Sequence, residues 1–550
     1  MNTTLIDLFE TSILENRTRP AFSDYMKGDS AAVTYGQVAL RTLAIHELFA
    51  ACGIQRGSKV AVLGKNSANW ATAYLATLLY GAVVVPILPE FKPEEIFTII
   101  EHSDAHMLFC ADDLFQKCVA SGKKISIPVI SLKDFRPLSG LERGSAKAGR
   151  IHTIEDDGTS LTPGMFGQKT GVRDHSESLA SIVYTSGTTG FSKGVMLPMR
   201  SLMANVVFAQ ENMPLKPGDT ILSFLPTAHA FGCAFEFLFP FANGCHITFL
   251  DRMPSPTILL KAFSDIRPRL ILSVPLIFEK IYSSRVKPLL NGKAAPLFKL
   301  PLVKNLLNAM LRKKLHELFG GNFIQIIIGG AALNPEVENF LHDIGFRYTV
   351  GYGMTECGPL ISYAGWDSFK KYSVGRSIDT LEIRIDSDEP SNIAGEIMVK
   401  GANVMLGYYK NEKETRSILT EEGWLRTGDL GVFNDHGNIF IRGRKKTMLL
   451  GSSGQNIYPE EIEARLNTMP FVEESLVVQR GNRLTALVFP SIEQMKEKNL
   501  DDEALAPIME KNRKALNAMV SSYSTVSKIE IVKEEFEKTP SKKIKRFLYS

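Results

Sequence analysis

Ser181-Ile182-Val183-Tyr184-Thr185-Ser186-Gly187-Thr188-Thr189-Gly190-Phe191-Ser192-Lys193-Gly194-Val195 decides how the rest of the chain is read. Ile182 to Tyr184 has the apolar, β-branched character of a buried strand. It runs directly into small hydroxyl residues and glycines that end on a lysine. Glycines let backbone N–H groups turn towards an anion, the hydroxyls add donors and Lys193 adds a point charge, so the loop is suited to hold phosphates. It is not a Walker P-loop, which needs Gly directly before the Lys and Ser or Thr after it; the neighbours here are Ser192 and Gly194. The bland alternative is a flexible surface turn.

Around this strand and loop, short apolar strands alternate with amphipathic helical patterns over the first four-fifths of the sequence. Lys59 to Leu63, Met107 to Cys110, Ile182 to Tyr184, Thr220 to Leu225, His246 to Leu250 and Ile324 to Ile328 are the expected strands. Such alternation means an α/β architecture with largely parallel sheets. Asn66 to Pro89 holds no charge and is long enough to cross a bilayer. It is read instead as a buried helix over Ala68 to Tyr80, a stop at Gly81 and a strand over Val83 to Leu88, since Thr72, Thr77 and Pro86 make a poor lipid-facing helix. Ser139 to Ser178, rich in Gly, Ser, Thr and charge, is expected as an exposed, partly disordered excursion. Beyond Gly443 a basic turn, a helix opening at Pro459-Glu460-Glu461 and further short elements mark a small α+β domain, with its boundary near Arg444 to Lys446. The division is residues 1–443 and 444–550.

Composition removes several classes. The 550 residues carry 63 Lys plus Arg against 59 Asp plus Glu, a formal net charge of +4, with 44% hydrophobic and 22% charged residues. That is an ordinary globular balance with no argument for nucleic acid. Six cysteines, at 52, 110, 118, 233, 245 and 357, form no CxxC pair and read as reduced core thiols of a cytosolic protein. Asp7, Glu10 and Glu15 precede the first basic residue, Arg17, unlike a signal peptide, so export is not expected.

Five further segments carry chemistry. Ile328-Gly329-Gly330-Ala331-Ala332-Leu333 follows a strand and precedes a helical pattern, and Val350-Gly351-Tyr352-Gly353-Met354-Thr355-Glu356 sets an aromatic between glycines. Flanking glycines let a flat ring stack close to the backbone, and the Thr-Glu pair offers a hydroxyl and a hard oxygen ligand for Mg²⁺. Asp429, in Thr427-Gly428-Asp429, is suited to accept from ribose hydroxyls, although a turn Asp is usually a local cap. Arg444-Lys445-Lys446 leads into Gly451 to Ile462, and Thr539-Pro540-Ser541-Lys542-Lys543-Ile544-Lys545-Arg546 closes the chain in a basic run whose plainest meaning is a solvated tail.

Taken in order, these segments resemble the acyl-adenylate-forming superfamily of acyl-CoA synthetases, peptide-synthetase adenylation domains and beetle luciferases. The family loop is close to YTSGTTGxPKGV; Phe191-Ser192 replaces its x-Pro pair. The matches span most of Ile182 to Arg546. The resemblance implies a large α/β N-terminal domain and a small mobile C-terminal one. It implies ATP, Mg²⁺ and coenzyme A, and a two-step reaction through an acyl-adenylate. It assigns Thr185, Ser186, Gly187, Thr188, Thr189, Gly190 and Lys193 to the phosphates, Gly330, Ala331 and Tyr352 to the base with Gly353 beside them, Thr355 to phosphate, Thr185 and Glu356 to the metal, and Asp429 and Arg444 to the ribose. Lys446 becomes the hinge, Gly454 the glycine of close approach in the thioester step, and Lys543 the adenylation lysine. Lys542 stands where the family has glycine, so a swap of roles between the two lysines stays open.

The substrate follows from His229 in Leu225-Pro226-Thr227-Ala228-His229-Ala230-Phe231-Gly232. Amino-acid-activating relatives carry Asp there to pair the substrate amine, whereas His fits fatty and aryl acyl-CoA synthetases and a role in acid binding and step-to-step gating. Phe231, Phe235, Phe237, Phe239 and Phe241 line an acyl tunnel or pack a core. Arg285 to Lys314 holds eight basic residues and no acidic one among Leu, Phe, Val and Met, which suits peripheral docking on an anionic membrane or is a solvated helical face. With Gly454-Gln-Asn-Ile-Tyr-Pro-Glu-Glu similar to the bacterial long-chain type, a cytoplasmic long-chain fatty acid–CoA ligase is the first expectation. The alternatives are an acyl carrier protein as acceptor, an aryl or medium-chain acid, and a nucleotide-dependent regulatory protein without turnover.

Overall fold

The computed structural model describes residues 4–27, 32–140, 148–166, 176–185, 192–252, 254–291, 301–450, 455–481, 483–539 and 543–549. Ser186 to Gly190, Gly454 and Lys542 lie outside the described residues.

An eight-stranded sheet frames the large unit. Across it run Gly407–Tyr408, Lys193–Pro198, Leu179–Thr185, Val83–Ile87, Lys59–Leu63, Ala105–Cys110, Val129–Ser131 and Pro137–Ser139. The central strands, from Leu179–Thr185 to Val129–Ser131, are parallel and the margins antiparallel. Each expected strand is present; Lys59–Leu63 agrees at both ends and the others shift by one to three residues. Two further sheets of parallel strands stand beside it. One joins Thr220–Ser223, His246–Phe249 and Pro20–Asp24, with Val33–Thr34 antiparallel at its margin, and the other joins Ile271–Ser273, Ile326–Ile328 and Tyr348–Val350.

The uncharged stretch after Asn66 is core. Ser67 caps the helix Ala68–Leu79 by accepting from the Trp70 N–H at 3.2 Å, and Gly81 ends it at φ +80°, a conformation that costs glycine little. Trp70 and Tyr74 then pack edge-on against Phe237. Phe241 stacks on Tyr35 at 4.8 Å and on Phe22 at 5.4 Å. Phe235, Phe237, Phe239 and Phe241 are therefore core side chains, each contributing about 1.5–3 kcal/mol by burial. Among the described residues no helix is long and apolar enough to cross a membrane.

The excursion expected over Ser139 to Ser178 needs correcting where it is described. Ile151, Met165 and Phe166 are buried, and buried Glu10 accepts the Gly164 and Phe166 N–H groups, both at 2.9 Å. A few apolar residues, pinned by a carboxylate from the first helix, outweigh a polar composition.

The small unit has its own core of Ile457, Ile462, Leu466, Val477, Val488, Leu505 and Val526, distinct from that of the large unit. Its sheet joins Val472–Arg480, Arg483–Pro490 and Val526–Ile531, against helices Pro459–Leu466 and Asp502–Asn517. Arg444 closes the strand Ile439–Arg444 of a four-stranded antiparallel sheet, and the Lys445 N–H donates to the Gly428 carbonyl at 2.8 Å. Both residues are thus bonded into the large unit.

Candidate active site

In open α/β sheets, ligands bind beyond the carboxyl ends of the strands. Ile328 and Val350 are partners at such ends, so Gly330-Ala331 and Gly351-Tyr352-Gly353 emerge side by side, joined by the Gly351 N–H to the Ile328 carbonyl at 2.9 Å. Gly330 takes φ +86° and leaves, with Ala331, an exposed backbone edge. Gly329 allows a close approach: a Cβ there would stand 3.0 Å from the Phe231 ring.

Tyr352 donates its hydroxyl to Asp429 Oδ2 at 2.7 Å, and Arg444 Nε lies 3.0 Å from Asp429 Oδ1. Antiparallel register puts Asp429 opposite Arg444, so the pair is set by the backbone. Burial first, and then the charge of Asp429, hold the Tyr352 phenol well above its ordinary pKa. Asp429 likewise raises the pKa of Arg444. A neutral donor, a buried carboxylate and a fixed cation line one wall.

The phosphate side is framed by a hairpin in which Thr185 pairs with Lys193 across the strands. Ser186, Gly187, Thr188, Thr189 and Gly190, expected to hold phosphate, lie outside the described residues. Lys193 forms an ion pair with Glu414, and its ammonium sits 5.0 Å from the centre of the Tyr408 ring. Tyr408 donates its hydroxyl to Glu356 Oε1 at 2.7 Å, and the Met405 N–H donates to the Glu356 carbonyl at 2.9 Å. Thr355 and Glu356 lie on a short 3₁₀ turn with Thr355 buried. Sequence reasoning missed Tyr408 and Glu414, which lie more than fifty residues from the side chains they hold. The donor chemistry suits magnesium: Mg²⁺ is held by one or two carboxylates together with waters and phosphates, and Glu356 supplies one.

His229 caps the short helix that follows it, its Nδ1 accepting the Phe231 N–H at 3.4 Å. Burial first, then the positive charge of Lys543, push its pKa down to about 4, so the imidazole is neutral at physiological pH. Beside it an apolar crevice is lined by Tyr74, Val183, Leu197, Ala228, Cys233 and Ala234, among others, with a free volume of about 10 Å³, room for one water. None of the phenylalanines forms its wall. Below lies a residue the sequence reading passed over. Glu236, fully buried in the π-helical turn Cys233–Leu238, accepts the Phe224 and Leu225 N–H groups at 3.0 and 2.9 Å, and burial raises its pKa well above the ordinary value. A lone Glu between Phe235 and Phe237 was the available signal.

The small unit closes the cleft. Lys538 and Ile544 form an antiparallel bridge, and the Thr539 N–H donates to the Lys543 carbonyl at 2.8 Å, which holds Lys543 beside Thr539. Protein surrounds most of its side chain while the residue keeps exposed surface, as in an open-mouthed cleft. Its pKa is lowered, by burial first and then by the charge of Arg444, against the opposing pull of Asp429 and Glu356. Lys446 is exposed, just past the last residue bonded into the large unit. Contacts from elsewhere hold the two units together: Lys287 Nζ donates to the Thr468 carbonyl at 3.0 Å and Asn334 Nδ2 to the Ala464 carbonyl at 2.8 Å.

Known families fit this arrangement. Residues 9–409 match the AMP-binding enzyme family and residues 446–548 its C-terminal domain. The chain belongs to the AMP-binding enzyme family. A long-chain-fatty-acid–CoA ligase of Mycobacterium bovis is 26% identical over 90% of this chain and 86% of its own length. A chloroplastic long-chain-fatty-acid–acyl-carrier-protein ligase of Arabidopsis thaliana is 27% identical over 89% of this chain and 76% of its own. Among solved structures, O-succinylbenzoate coenzyme A synthetase of Bacillus subtilis, in complex with ATP and a magnesium ion, superposes with a TM-score of 0.74 at 20% identity, covering 98% of both chains.

Proposed function

We propose that this chain activates a long-chain fatty acid with ATP and passes the acyl group to coenzyme A. A carboxylate oxygen attacks the α-phosphorus, the bond to pyrophosphate breaks, and acyl-AMP forms. The thiol sulfur then attacks the acyl carbon, its proton passes to solvent, and AMP leaves. The observation that carries this reading is Lys543 of the small unit standing amid Glu356, Asp429, Arg444 and His229 of the large one.

Negative charge grows on the α-phosphoryl oxygens in the first step. Lys543 and Lys193 supply fixed positive charge there, the preorganised electrostatics that dominates such catalysis. Gly330, Ala331, Tyr352 and Gly353 take the adenine, Asp429 and Arg444 the ribose, and Thr355 with Thr185 to Gly190 the phosphates. Glu356, oriented by Tyr408, would hold magnesium with Thr185, and the ion would neutralise phosphate charge. His229, neutral and set at the mouth of the crevice, meets the acyl carboxylate. The second step needs a route for the thiol, which we assign to rotation about Lys446 that withdraws Lys543 and brings in Gly454.

The long-chain choice rests on the names of the relatives and on His229 in place of an acidic residue. It requires the crevice wall over Ala228 to Ala234 to part around the chain. Acyl carrier protein as acceptor is the second reading, favoured by the Arabidopsis relative. Measuring AMP release and thioester product over a series of acid chain lengths, with coenzyme A and with carrier protein, tests both. Release that does not depend on added acid would sink the proposal.

A further inference from the structure

The helix Pro301–Leu318 is amphipathic in an unusual sense. Its inner face is ordinary: Leu315 is buried, Leu311 and Leu318 pack on the core, and Asn308 Nδ2 donates to the Asp343 carbonyl at 3.0 Å. At 3.6 residues per turn, Leu306, Met310 and Lys313 share the opposite face. There Leu306 is 65% and Met310 49% exposed, among the large apolar side chains left in water. Lys313 and Lys314 flank them, both exposed, whereas Lys304 lies towards the inner side with its ammonium 3.9 Å from Asp343 and Arg312 leaves the flank beside Gly345; Glu317, 3.9 Å from Lys313, is the helix's one acidic residue.

The structure also sorts the basic stretch that the sequence treats as one block. Lys287 leaves it, tied to Glu336 at 3.2 Å and to the Thr468 carbonyl of the small unit. Lys293 and Lys299 lie outside the described residues. On the outer face of the helix this leaves two aliphatic side chains flanked by Lys313 and Lys314.

We propose that this face docks on an anionic lipid surface, with Leu306 and Met310 entering the boundary between headgroups and acyl chains. Exposed aliphatic side chains favour that boundary, and Lys313 and Lys314 beside them complement anionic headgroups. Protein interfaces, by contrast, are depleted in lysine, and both basic residues beside Leu306 and Met310 are lysines. The surface stands independently of the nucleotide site; its use, to take up fatty acid where that partitions, rests on the proposed function.

The test is co-sedimentation of the whole chain, without ATP or acid, with vesicles of one part phosphatidylglycerol to two parts phosphatidylcholine at low salt. Binding is expected there, and not to phosphatidylcholine alone. Leu306→Ser with Met310→Ser, and separately Lys313→Glu with Lys314→Glu, should each weaken binding by about tenfold or more at an unchanged melting temperature. No binding to the anionic vesicles overturns the proposal, and so does binding that neither pair weakens. It is overturned equally if the same substitutions disrupt an acyl carrier protein complex or a dimer while the chain ignores vesicles. Adenylation assays on the same preparation report on the nucleotide site separately, so either proposal can fail alone.

Discussion

The two walls of the cleft are held in different ways. On the large unit, Asp429 and Arg444 face each other through strand register, and Tyr352 follows a strand paired in parallel with Ile326–Ile328. On the small unit, the residues on either side of Lys543 are anchored within that unit by Lys545 to Glu537 at 2.5 Å and Lys538 to Glu474 at 2.7 Å. One wall is fixed by many backbone hydrogen bonds. The other can move as a body without breaking its own. Under the proposed mechanism, that difference means the fixed wall would serve whatever nucleotide is bound, while the mobile wall would belong to one step.

Removing the mobile charge gives the largest effect. Lys543→Ala should slow acyl-adenylate formation by about 10²–10³-fold, in line with losing one preorganised stabilising group, yet largely spare thioester formation from supplied acyl-AMP. A bulky residue at Gly454 should do the reverse. Stopped assays of each half-reaction decide, and equal loss of both steps in either variant would break the comparison.

Damage to the fixed wall should not discriminate between steps. Asp429→Ala leaves Tyr352 and Arg444 without their shared acceptor. A hydrogen bond to a charged group is worth about 1.5–3 kcal/mol, so KM for ATP should rise by about tenfold to a hundredfold, with comparable weakening for supplied acyl-AMP. A defect confined to one half-reaction would place Asp429 with the mobile machinery.

Sequence made the fixed wall easier to read than the mobile one. Glycines around Tyr352 and an acidic residue at Asp429 have local chemical reasons, although Asp429, expected in a turn, lies within the strand Leu425–Phe433 because its neighbours pair with Ile439–Arg444. What joins them does not show. Tyr408 on Glu356, Glu414 on Lys193 and Glu236 beneath the His229 segment are contacts whose meaning depends on which strands become neighbours. Lys287, counted from sequence with a surface patch, turns to the small unit for the same reason. Phe235 to Phe241 read equally well as tunnel or core, because an apolar run does not state what its ring faces meet.

A pH profile sharpens the comparison more gently. Lys543 acts protonated, and burial with the Arg444 charge sets its pKa below the ordinary lysine value of 10.5. The kcat/KM for adenylation should therefore fall as pH rises through that lowered value, since this parameter reports groups of the free enzyme. The limb should vanish in Lys543→Ala and be absent from the thioester half-reaction. His229, with its pKa pushed down to about 4, should add no inflection between pH 5 and 8. A limb shared by both steps would assign the titration to the fixed wall.

The smallest effect concerns the one part of the fixed wall that must rearrange. Lys193 is engaged by Glu414 and rests on Tyr408. A phosphate approaching the hairpin meets a lysine already paired, and Glu414, whose own pKa the Lys193 contact lowers, has to yield it. Glu414 is more than a third exposed, with a side-chain accessibility of 38%, so the pair belongs with surface ion pairs worth about 0–1 kcal/mol. Glu414→Gln should accordingly lower KM for ATP by no more than about fivefold at low salt, and raising the salt should erase the difference. A rise in KM would instead make Glu414 a support that holds Lys193 in position, and the whole large-unit wall would then be preformed for its nucleotide.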